Sequence, residues 1–192
     1  MCDIGDFILA KLRIKNFSFK VKEPPSQEKI QKKFKKSFQP NYQACHEYPL
    51  NRETINKRMK ILLRSARENE TDLRMFIPPF HAKRMENIQG QMCWEPYKQW
   101  LSDMVQLVED DNKTHPGKTP VQLWGFNAYN TFTTETITES KMKWFKDGLH
   151  YKKNLANLIL DRIFNYHHPN RDLPNDFGLL LTEENLEFSL SE

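Results

Sequence analysis

An α/β fold with a parallel sheet is what the chain predicts, from three features of its 192 residues. Two short runs rich in apolar residues, Leu73-Arg74-Met75-Phe76-Ile77 and Val121-Gln122-Leu123-Trp124-Gly125-Phe126, read as buried strands. Apolar residues at helical spacing precede the first run, separate the two, and follow the second. Helix, strand, helix, strand, helix is the order that a parallel pair requires, because its connection must cross the sheet and is usually helical.

Taken in order, residues 1–40 form a basic, weakly ordered arm and residues 41–192 the folded body. Within the arm, Glu23-Pro24-Pro25-Ser26 is a break, since neither proline offers a backbone donor and each disfavours helix at the residue before it. Ile30, Phe34 and Phe38 then give a short helix with a narrow apolar stripe. In the body, Asn51 is a good N-cap for a helix to about residue 69, with Ile55, Met59, Leu62, Leu63 and Ala66 on one face. Pro78-Pro79 stops the first strand, and a helix over 94–111 follows, with Tyr97, Trp100, Leu101, Met104, Val105 and Val108 inward. His115-Pro116-Gly117 turns the chain into the second strand. A last helix over 152–165 turns Leu155, Leu158, Ile159 and Ile163 inward. Two strands are few beside the five or six of an average sheet, so the body reads as the later half of an α/β domain.

Composition narrows the function classes. Residues 11–36 hold ten Lys or Arg against Glu23 and Glu28, a local +8; with +4 for the whole chain, the remainder carries −4. The basic character belongs to the arm, where Phe17, Phe19, Phe34 and Phe38 are interleaved, a pattern that could bind nucleic acid or an anionic membrane surface. The alternative is a solvated arm that binds nothing. No apolar run is long enough for a transmembrane helix, and acids precede the first basic residue, unlike a secretory signal; the expected location is cytoplasmic. Cys2, Cys45 and Cys93 are widely spaced and odd in number, so neither a disulfide framework nor a zinc knuckle is expected, and Cys93 reads as a free buried thiol. His167-His168 with Cys45 or His46 lacks the spacing of known ligand sets, so neither metal nor cofactor is expected.

Ligands of open parallel sheets bind beyond the carboxyl ends of the strands. That rule gathers Pro78, Pro79, Phe80 and His81, the polar loop 127–135 and the stretch Trp144-Phe145-Lys146-Asp147-Gly148-Leu149-His150-Tyr151. Asp147 and His150 can cooperate, the carboxylate holding one ring nitrogen so that the other takes a proton from a hydroxyl. The alternative is an aspartate that caps the last helix beside an ordinary histidine.

Residues 73–81, 124–135, 144–164 and 177–186 together resemble the carboxyl-terminal half of bacterial SGNH (GDSL-like) hydrolase-fold proteins, with D-x-x-H before an apolar helix as the most specific piece. The resemblance covers roughly residues 40–190. It implies a flavodoxin-like three-layer α/β/α domain and the chemistry of ester hydrolysis or acyl transfer. It also implies His150 as general base and Asp147 as its orienting partner, while the strand-end rule makes His81, Asn127, Tyr129, Asn130 and Tyr151 the candidate substrate-binding residues.

The family's serine block has no counterpart. The serines at 18, 26, 37, 65, 102, 140, 189 and 191 all lack a glycine within two positions, and Gly5-Asp6-Phe7 carries phenylalanine where the serine belongs. The expectation is a catalytically incomplete, shortened relative, inactive alone and completed, if at all, by an upstream half-domain polypeptide. Longer family members are often membrane-anchored and exported.

Overall fold

The computed structural model describes residues 26–37, 42–90, 93–137 and 142–187. Most of the basic arm, with its Glu23-Pro24-Pro25 break and the Gly5-Asp6-Phe7 echo, lies outside these residues. Its last part is helix α1 (Gln27–Ser37), whose Lys29, Lys32, Lys35 and Lys36 are exposed.

Helix α2 (Tyr42–Glu68) begins nine residues before the expected start, so Asn51 is an interior residue and not an N-cap. Asn51 is a good local N-cap ahead of the stripe from Ile55, and Pro49, which lacks a backbone donor, precedes it. Extending an existing helix is cheaper than nucleating one, and α2 runs through the proline at the cost of a hydrogen bond. Strand β1 (Arg74–Ile77), helix α3 (Ala82–Gln89), helix α4 (Trp94–Thr114) and strand β2 (Gln122–Gly125) follow, and then helix α5 (Lys153–Ile163) and the two-residue strand β3 (Leu179–Leu180).

The fold is mixed α/β. β1 and β2 pair in parallel, with Arg74 opposite Gln122 and Ile77 opposite Gly125. β3 joins the other side of β2 antiparallel, so the sheet is mixed, in the order β1-β2-β3, and not wholly parallel as expected. The chain returns to β2 after α5 through Gly178 (φ +88°), where a Cβ would run into the Phe126 ring.

Strand alternation distributes the core over both faces of this small sheet. Met75, Ile77 and Leu123 pack with Leu63 of α2 and with Leu101, Met104, Val105 and Val108 of α4. Phe76 and Trp124 point the other way, against Leu155, Leu158, Ile159 and Ile163 of α5 and the rings of Phe126, Phe132, Phe145 and Phe177. Each such side chain, fully buried, contributes about 1.5–3 kcal/mol.

Candidate active site

The segment 145–151 is a tight turn. Phe145 and Tyr151 form an antiparallel bridge, and Lys146 N–H donates to the His150 carbonyl at 2.7 Å. Inside that bracket Asp147 turns inward, 1% exposed, while the His150 side chain stays 55% exposed. Asp147 Oδ1 accepts three bonds: from Leu149 N–H at 3.0 Å, from His150 N–H at 2.9 Å, and from His150 Nδ1–H at 2.7 Å. A carboxylate can only accept, so Nδ1 carries the proton. The capping alternative fails, because the N-cap of α5 is Lys152 with no side-chain cap bond.

His81 joins this turn to the loops that follow the two parallel strands. As N-cap of α3 its Nδ1 accepts from Lys83 N–H at 3.1 Å, and its Nε2–H donates to the Glu135 carbonyl at 2.7 Å. Those partners require the neutral ring protonated on Nε2, the opposite tautomer to His150. Burial pushes its pKa below the ordinary value, which the Glu135 carbonyl and the Glu135 and Glu86 charges partly offset. His81 N–H donates to the Gly148 carbonyl at 3.1 Å, and Ala82 N–H to the Thr133 carbonyl at 2.7 Å. The three segments gathered by the strand-end rule are therefore hydrogen-bonded to one another.

Most of the other expected binding residues are engaged in this framework. Asn130, buried, caps its own turn, accepting from Phe132 and Thr133 amides at 2.9 and 3.0 Å and donating to the Ala128 carbonyl at 2.8 Å. Buried Asn127 donates to the Tyr97 hydroxyl, whose surroundings push its pKa well up. Tyr97 stacks on Trp94, with ring centroids 5.6 Å apart. Tyr129 reaches Gln89 of α3 at 3.3 Å, and burial raises its pKa and that of half-buried Tyr151. His150 thus presents a half-exposed ring at a junction whose other polar side chains mainly hold the backbone in place.

Cys93 corrects a sequence expectation: it is disulfide-bonded and not a free thiol. His168 Nδ1 accepts from Asn170 N–H at 3.1 Å, and among the described residues no three His, Cys, Asp or Glu stand close enough to hold a metal.

Sequence reasoning missed Ser37. Its hydroxyl accepts from Gly148 N–H at 2.8 Å, across 111 positions. No local signal marks it, since it ends a lysine-rich helix without neighbouring glycine. Compared with protein families, curated proteins and solved structures, the chain matches none.

Proposed function

We propose that the body is the later half of an SGNH hydrolase-like domain, flavodoxin-like in architecture, and that Asp147 and His150 are the base half of an acyl-transfer site. The observation that carries this reading is the 2.7 Å bond from His150 Nδ1 to a carboxylate that is itself buried and held by two backbone amides. A buried, hydrogen-bonded carboxylate orients the imidazole and stabilises the imidazolium that forms when Nε2 takes a proton. With substrate present, that proton would come from an attacking hydroxyl and return to the leaving group.

The chain supplies the base without a serine in a tight glycine turn. Proton abstraction alone forms no acyl-enzyme, so the site is catalytically incomplete. An ester assay tests this directly. A working general base is worth about 10²–10⁴-fold, and p-nitrophenyl acetate hydrolysis by the full chain should match that of His150→Ala. A rate that collapses in His150→Ala, or a fluorophosphonate adduct mapped to Ser37, would show a complete site and overturn its proposed incompleteness.

A further inference from the structure

We propose that Ser37 is a positioning residue for the Asp147–His150 pair, acting from α1 through the peptide groups of Gly148; this rests on reading that pair as a general base. The inference comes from where the bonds of the Gly148 backbone go. Inside the turn, Asp147 Oδ1 takes the amides of Leu149 and His150 and the ring Nδ1–H, but not the Gly148 amide. Gly148 is buried, and a buried amide needs a partner. That partner is Ser37 Oγ at 2.8 Å, while the Gly148 carbonyl accepts from His81 N–H at 3.1 Å.

Both peptide planes flanking this glycine are thus held from outside the turn. Glycine has the widest backbone freedom of any residue, so external bonds have most to select at this position. The plane held by Ser37 carries the Asp147 carbonyl and sets the direction of the Asp147 side chain. The plane held by His81 leads into Leu149 and His150. Helix α3 ties the two anchors together, since His81 is its N-cap and Arg84, in its first turn, donates to the Ser37 carbonyl at 3.4 Å. Ser37 therefore keeps the carboxylate aligned with the imidazole without touching either.

Nitrogen NMR of the full chain, labelled with ¹⁵N-histidine and recorded above the ordinary imidazole titration range, reads this out. The expected parent spectrum has His150 protonated on Nδ1 and His81 on Nε2, the latter an internal control. Ser37→Ala should move the His150 ring signals toward an average of the two tautomers and leave those of His81 in place, and Ser37→Thr should restore the parent pattern. Unchanged His150 signals in Ser37→Ala overturn the proposal. An Asp147→Ala variant, which removes the acceptor, separates the two ideas: if it leaves the His150 signals unchanged, the general-base reading itself fails. The parent alone gives a second measurement should Ser37→Ala not fold. Exchange of the Gly148 amide is expected to be slowed at least about fivefold, the factor that a typical net hydrogen bond supplies, and unprotected exchange overturns the assignment.

Discussion

Among single residues, His81 and His150 show how one side-chain type is put to opposite uses. His150 has a carboxylate partner and an exposed edge, whereas His81 is 4% exposed and spends both ring nitrogens on backbone groups. The His81 pKa is depressed, so over a window below the ordinary 6.5 the unfolded chain binds a proton that the folded one resists. Stability is then unaffected by this group above that value and falls as pH drops through the window. Urea unfolding at pH 7.5 and 5.5 should show a larger loss in the parent than in His81→Gln, and equal losses would exclude His81 as the cause. At pH 7.5 the variant should cost about 1–2 kcal/mol, the range for a lost helix cap.

At the level of elements, the packing of α2 on α4 contains a buried carboxylate. Asp103 of α4 is 4% exposed and receives Arg52 Nε at 2.5 Å and Nη2 at 2.7 Å, with further bonds from Asn56 at 3.3 Å and Gln99 at 2.9 Å. Removing one partner of such a pair leaves the other charge poorly compensated. Arg52 is half exposed, however, and water can replace part of it. Arg52→Ala is therefore expected to destabilise by about 1–3 kcal/mol, at the low end of partner removal. A change below about 0.5 kcal/mol, the range of ordinary surface substitutions, would mean that the other partners of Asp103 suffice. The helical stripes of α4 and α5 and both parallel strands were legible in the sequence, because their apolar spacing reports directly which face is buried. α3 and β3 were not: α3 is eight residues long with only Ala82 and Met85 buried, and β3 has two exposed residues. Such short elements exist because of their neighbours.

Across the molecule, the segment after α5 is an integral part of the core. Phe177 is fully buried, 4.9 Å from the Phe126 ring and 4.7 Å from that of Phe132. Arg162 donates to the Phe177 and Pro174 carbonyls at 2.8 and 2.5 Å, and Arg171 grips buried Asp161 at 2.5 and 2.6 Å. Phe177→Ala is expected to cost about 3–5 kcal/mol, a large share of the total stability of a small domain. Calorimetry would show this as a drop in melting temperature of well over 5 °C, since about 1 kcal/mol shifts a chain of this size by 2–4 °C. A drop of a degree or two would mean that this segment is dispensable to the core.

Residue spacing by itself determined the α/β class, the parallel pair and the candidacy of Asp147 and His150, because periodicity and a three-residue interval are local properties of the chain. It left open whether Asp147 caps a helix or accepts from the His150 ring, and it gave no reason to connect Ser37 with Gly148. Tertiary structure decided both points, together with the antiparallel third strand and the disulfide at Cys93. The reason is physical: the partner of a buried polar group is whatever donor or acceptor the fold brings within about 3 Å. For Gly148 that partner lies 111 residues away.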